Sequence, residues 1–286
     1  MSIDRRTFLG TLGAACLAAG RVSAASIERL GVQLYSVRND LQKDFDGTLA
    51  KIAAIGYKEV EFAGYAGRTP DQVRESLTKH GLTAPSAHVD YPSLGEKFPL
   101  VLDAARTIGL QYLVNPWIDE SIRKQPGSWN RVAETFNRVG EMCKRAGIQF
   151  AYHNHQFEFD PVDGRLPFDI LLETCDPALV KIELDLCWIT VADKDPLDYF
   201  RRYPGRFPLV HVKGLAKKPA AGAAEPIDRV LPTITDVGQG DVIDWKRIFA
   251  QSAQAGIKHY FVEHDVPKDP FASLKASYDY VTRLQF

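Results

Sequence analysis

The sequence predicts an α/β chain folded as a single-domain (β/α)8 TIM barrel. Three observations carry that expectation. Strand-like and helix-like stretches alternate from Gly31 to the end of the chain, eight of each. Glycine stands at the joint between a helix and the next strand at Gly56, Gly81, Gly109, Gly147 and Gly256, where a helix stop belongs. Apolar strands end again and again in His, Asp or Glu. Strict alternation demands parallel strands, and eight units in about 260 residues is the size of a closed barrel. A doubly wound open sheet would want a Gly-rich turn after the first strand, and Tyr35-Ser36-Val37-Arg38-Asn39 holds no Gly.

The elements follow in order. Gly31 to Tyr35 reads as the first strand. The helix after it, about Phe45 to Ile55, carries Leu49, Ile52 and Ala53 on one face. Lys58 to Phe62 is the second strand, and Thr69-Pro70-Asp71 starts a helix that runs to His80. Thr83 to Val89 is the third strand, followed by a helix from Phe98 to Ile108. Gln111 to Asn115 is the fourth, followed by the long helix from Ser128 to Ala146. The fifth strand opens on Ile148-Gln149-Phe150-Ala151 and runs into Tyr152-His153-Asn154-His155. Phe168 to Cys175 is helical, and Val180 to Trp188 is read as the sixth strand. Asp195-Pro196 opens a short helix to Arg202. Pro208 to Lys213 is the seventh strand. Asp244-Trp245 opens the helix that ends at Ala255, His259 to Glu263 is the eighth strand, and Phe271 to Leu284 closes the chain. Two connections are long: about 116–128, and 214–243, which reads as a mobile flap over the barrel mouth.

Residues 1–25 stand apart. Asp4-Arg5-Arg6-Thr7-Phe8-Leu9, a short apolar run from Leu12 to Ala19 and the small residues Val22-Ser23-Ala24 look like a twin-arginine signal peptide. That leaves 26–286 as the barrel domain, exported or periplasmic, with no stable membrane insertion after cleavage. The apolar run is too short for a bilayer helix of about 20 residues. Cys143, Cys175 and Cys187 have no close spacing and read as buried thiols. A formal net charge of -1 offers no basic surface to a phosphate backbone, so nucleic acid is not expected as a partner.

In a barrel of this kind the pocket is assembled at the carboxyl ends of the strands. The polar residues there are Gln33, Glu61, His88, Asn115, His153, His155, Glu158, Glu183, Asp185, His211, Lys213 and Glu263. So much buried charge is unfavourable without a ligand or an ion to pair it. Carboxylates with imidazole and no well-placed thiolate suit one divalent ion, Mn, Mg, Co or Zn. Tyr35, Trp117 and Trp188 stand near the same strand ends and offer flat faces on which a ligand could stack.

The chain resembles the sugar phosphate isomerase/epimerase superfamily of xylose isomerase-like barrels. The resemblance rests on Gly31-Val32-Gln33-Leu34-Tyr35-Ser36, Tyr152-His153-Asn154-His155 with Phe157-Glu158-Phe159, Glu183-Leu184-Asp185, His211-Val212-Lys213 and Val262-Glu263. It implies a metal held by Glu, Asp, His and Glu, with the two Glu moving protons on opposite faces of the substrate. Asp185, His211 and Glu263 match that pattern. Relatives often carry Glu-Asn-His at strand five, where this chain has His153-Asn154-His155. Either His153 replaces the ligand or Glu158 loops back to supply it; Glu158 restores the carboxylate count and is the expected ligand. His153, His155 and Lys213 are then acid/base or oxyanion groups beside Glu158 and Glu263. Gln33, Glu61, His88, Asn115, Glu183 and Trp188 are expected to bind substrate. The implied activity is metal-dependent isomerisation or epimerisation of a keto-sugar or keto-glycoside through an enediolate. The alternatives are cleavage of a 3-keto-glycoside by a lyase or hydrolase, and non-catalytic sugar binding. A small carbohydrate is the expected partner, and the oligomeric state stays open between monomer and homo-oligomer.

Overall fold

The computed structural model describes residues 25–286; the expected signal segment lies, apart from Ala25, outside the described residues. Eight strands close into a barrel: β1 (Gly31–Gln33), β2 (Glu59–Phe62), β3 (Thr83–His88), β4 (Tyr112–Asn115), β5 (Gln149–His153), β6 (Val180–Asp185), β7 (Leu209–Val212) and β8 (His259–Val262). Every neighbouring pair is parallel, and β8 pairs with both β7 and β1. The single-domain barrel is therefore present as expected, with helices between the strands.

Local chemistry sets the joints. Thr69 and Gln72 form a reciprocal capping box at the start of the helix Pro70–His80, and Gly81 ends it at φ 64°. Gly31 faces the barrel axis, where an added Cβ would sit 2.5 Å from the Phe261 ring. Only glycine leaves room for that ring. Strand parity divides the core in two. Tyr112, Val114, Ala151, Leu209 and Phe261 fill the barrel as a separate apolar plug, and the larger cluster packs helices against the outside of the sheet.

The sixth strand is shorter than expected. The Asp185 carboxylate accepts from the N–H groups of Cys187 and Trp188, both at 2.8 Å, and so starts the helix Leu186–Val191. Trp188 is therefore helical. The helix expected from Asp244 to Ala255 is broken into Trp245–Phe249 and Ser252–Ala255. The segment read as a flap has structure of its own. Gly214–Leu215 pairs antiparallel with Ile234–Thr235, and the Asp241 carboxylate accepts from the N–H groups of Leu215 and Ile243. Cys143, Cys175 and Cys187 are free and buried. No helix of the described residues is long and apolar enough to cross a membrane.

Candidate metal centre

Above the apolar plug the inward positions turn polar in two tiers. The lower tier is closely paired. The Glu61 carboxylate accepts from Ser86 Oγ and from Gln33 Nε2 at 2.7 Å, and its Oε2 lies 2.7 Å from His211 Nε2. His88 Nε2 reaches Glu183 Oε2 at 3.0 Å and Glu61 Oε2 at 3.2 Å. Burial favours a neutral His88, but the Glu61 charge and the bonds to Glu183 and Glu61 outweigh it and lift His88 to about 9. Glu61 moves the other way: burial raises it, yet the charges and hydrogen bonds of His88 and His211 hold it well below the usual range.

The upper tier holds Asp185, Lys213 and Glu263, and His153 spans the two tiers, with Nδ1 3.2 Å from Glu183 Oε2 and Nε2 4.0 Å from Asp185 Oδ2. His211 Nδ1 stands 2.9 Å from Glu263 Oε2 and 3.8 Å from Asp185 Oδ2. Lys213 Nζ is 2.9 Å from Glu263 Oε2, 2.9 Å from Asp265 Oδ2 and 3.3 Å from Asp185 Oδ2. Burial raises Glu263, but the charges of Lys213 and His211 hold it far below the usual range, so it is ionised. Asp185 is pushed up to about 6 by burial, against the pull of Lys213 and His211. Burial, followed by repulsion from His211, His155 and His88, holds His153 well below its ordinary value and keeps it neutral.

Two groups could hold an ion: Asp185, His211 and Glu263, and the deeper set His88, His153, Glu183 and His211. The upper group has the donors of an ion site. Asp185 is fully buried, and its Oδ2 makes no hydrogen bond. His153 Nε2 stands 4.0 Å from that oxygen. A neutral imidazole, a second imidazole and two carboxylates are a donor set that divalent ions accept.

Glu158, the expected fourth ligand, stands in neither group. Tyr152 alternates with His153 and faces outward from the barrel. The 3-10 turn Phe157–Phe159 folds Glu158 back behind the strand, where it accepts from Tyr152 Oη and, at 2.8 Å, from His155 N. Burial raises Glu158 to about 7, against the bond from Tyr152. Its carboxylate is absent from the lining of the cavity, so neither expected role, ligand or acid/base group, finds support in this geometry. Asn115 misses the cavity for the same parity reason, and its amide donates to Val89 O at 2.9 Å.

His88, His153, His155, Trp188, Lys213 and Glu263 all line one cavity of about 600 Å³ at the carboxyl end of the barrel. Gln33, Glu61 and Glu183 lie beneath it, fully buried. His155 stacks on Phe157 and meets Trp117 edge-on at 4.9 Å. Burial, with the charge of Lys213, keeps it neutral. Asp265, absent from the expected set, also lines the cavity and pairs with Lys213. Its signal was the run Glu263-His264-Asp265 at the end of the eighth strand.

Fold and site together define a barrel whose strand ends gather histidines and carboxylates that could hold a divalent ion beside a cavity. The chain belongs to the xylose isomerase-like TIM barrel family, whose model matches residues 49–283. It is 23% identical over 217 residues to an inosose dehydratase of Clostridium perfringens, covering 66% of this chain and 72% of the relative. Its structure resembles a sugar phosphate isomerase/epimerase from Parabacteroides distasonis with a TM-score of 0.74 at 25% identity, covering 92% and 96% of the two chains. The fold is also that of the IOLI protein, solved with a bound zinc atom, at a TM-score of 0.68 and 13% identity over 88% and 95%.

Proposed function

We propose that this chain is a divalent-metal-dependent enzyme that removes the proton beside the carbonyl of a keto-sugar or keto-glycoside. His153, Asp185, His211 and Glu263 would hold the ion, Mn, Mg, Co or Zn. The observation that carries the reading is Asp185 Oδ2, a buried carboxylate oxygen with no hydrogen bond and a Lys213 ammonium at 3.3 Å, which also stands 3.8 Å from His211 Nδ1 and 4.0 Å from His153 Nε2. A bound ion polarises the carbonyl and acidifies the neighbouring C–H.

The chain's own residues do the rest. Glu263 is ionised, and its contacts to His211 and Lys213 both fall on Oε2, which leaves Oε1 to take the proton. Lys213 is fully buried among three carboxylates and stays charged. It holds Asp185, Glu263 and Asp265 in place and adds positive potential where oxyanion charge develops. His155 is the second proton group, since Glu158 faces away; it lines the cavity and its Nδ1 has no hydrogen-bond partner. Return of the proton to the opposite face epimerises the substrate, and return to the other carbon isomerises it.

A second reading is elimination, with His155 bonded to the leaving oxygen. It is favoured by the likeness to inosose dehydratase and by the place of His155 in the cavity lining. Proton NMR of metal-replete protein with keto-sugars and keto-glycosides in deuterated water tests both. Label beside the carbonyl in recovered substrate or its epimer supports the first, and an unsaturated product supports the second. No exchange and no elimination with any of them contradicts the proposal. Through Arg5-Arg6, the enzyme would work outside the cytoplasm, and retention of a precursor with both arginines changed to lysine is the matching test.

A further inference from the structure

Six large hydrophobic side chains are exposed among the described residues, and three of them, Tyr35, Trp117 and Val266, border the same cavity. Ile227 and Leu231 reach it from the segment after β7. That segment is tied to the loop after β5 by a bond from Gln156 Nε2 to Glu225 O, at 2.9 Å. Trp117 is braced: its ring meets His155 and Phe157 edge-on at 4.9 and 5.0 Å, and the Arg123 guanidinium stacks 3.6 Å from the Phe157 centroid. A fixed aromatic wall exposed together with other apolar groups at the rim of a cavity is a surface that suits a ligand. The volume, about 600 Å³, is mid-range for sites that take drug-sized ligands, roughly 300–1,000 Å³. One sugar ring seated over Glu263 and His153 would occupy the polar floor and leave Trp117, Tyr35 and Leu231 uncovered.

The charges at the mouth argue against a phosphate. Besides the histidines, the lining cations are Lys213 and Arg38. Lys213 is held by three carboxylates. Arg38 Nη1 donates to Tyr35 O at 2.8 Å and Asp265 O at 3.0 Å, and its guanidinium lies 4.0 Å from the Tyr35 ring centroid. Asp90 and Asp265 add negative charge to the same lining. We infer that the substrate is a neutral glycoside whose aglycone is a flat apolar or aromatic group, seated against Trp117, Tyr35 and Leu231, and is not a sugar phosphate. The inference rests on the proposed placement of the sugar at the upper tier.

Calorimetric titration of the metal-loaded full chain tests it, with methyl and phenyl glycosides of the common hexoses and the corresponding hexose 6-phosphates as probes. The phenyl compound of the best-bound sugar should bind roughly tenfold or more tighter than its methyl counterpart, the worth of burying one ring. The phosphate should bind no tighter than the methyl glycoside. Leu231→Ser and, separately, Ile227→Ser should each shrink the phenyl advantage while leaving methyl glycoside affinity within about threefold, since both reach the cavity from the segment after β7 and neither belongs to the polar floor. Equal affinity for phenyl and methyl, no measurable phenyl binding, or tightest binding of the phosphate would overturn the inference. These outcomes are separable from the chemistry. A phenyl advantage without deuterium exchange leaves the aglycone site and removes the proton-transfer reading; exchange without a phenyl advantage does the reverse.

Discussion

Both ends of this barrel bury a histidine against a glutamate. At the amino end His259 Nδ1 stands 2.7 Å from Glu59 Oε2; at the carboxyl end His211 Nδ1 stands 2.9 Å from Glu263 Oε2. What differs is the surroundings. Glu59 has its other oxygen on Arg29 at 3.1 Å, and Tyr112 from the apolar plug packs edge-on against His259. His211 touches Glu61, Glu183 and Glu263, while Asp185 Oδ2 and Glu183 Oε1 make no hydrogen bond at all. A buried His–Glu pair is thus ordinary structure. A surplus of buried carboxylate oxygens, short of hydrogen bonds beside a cavity, is what marks a site for an ion.

The sharpest break between the two ends should appear in metal content. Asp185→Asn and His211→Ala should each lose most of the bound ion, measured by plasma mass spectrometry, while His259→Gln should lose none. Turnover should divide in the same way. Glu263→Gln keeps an oxygen ligand but no base, and kcat should fall by roughly a hundredfold or more. The amino-end variant Glu59→Gln should turn over normally. Its loss is one of stability, about 1–3 kcal/mol in urea unfolding, because His259 and Arg29 both lose the carboxylate oxygens they bond.

The smallest effect concerns Glu158, which lies behind the carboxyl end. Its carboxyl is raised from the ordinary 4.5 to about 7 by burial. A raised carboxylate stabilises the fold while protonated in the native state, and that contribution is lost as pH rises through about 7. Glu158→Gln should therefore gain on the wild type by on the order of 1 kcal/mol as thermal melts move from about pH 5 to pH 8. A flat difference across that window would mean that Glu158 is ionised throughout and that its pairing with Tyr152 is stronger than burial.

The barrel was legible because alternation, glycine joints and polar strand ends are local signals that repeat. Most of the candidate site was legible for a related reason: parallel strands of one barrel bring their carboxyl ends together whatever the loops do. Asn115 failed on parity, since it follows the inward Val114 and faces outward. Glu158 points away from the cavity because a short 3-10 turn, which no periodicity announces, reverses the chain onto Tyr152. Trp188 reached the cavity from a helix instead of a strand, because Asp185 caps that helix with the oxygen that does not face the ion site. Ile227 and Leu231 were hidden in a segment whose fold depends on distant contacts such as the Asp241 carboxylate with Leu215 N.

The most direct test of the account is the metal content of wild type, His153→Ala and Glu158→Gln, expressed and purified in parallel. Wild type and Glu158→Gln should each carry about one divalent ion per chain, and His153→Ala should carry little. Loss of the ion from Glu158→Gln with retention in His153→Ala would contradict the centre drawn here and return the fourth ligand to the turn behind β5.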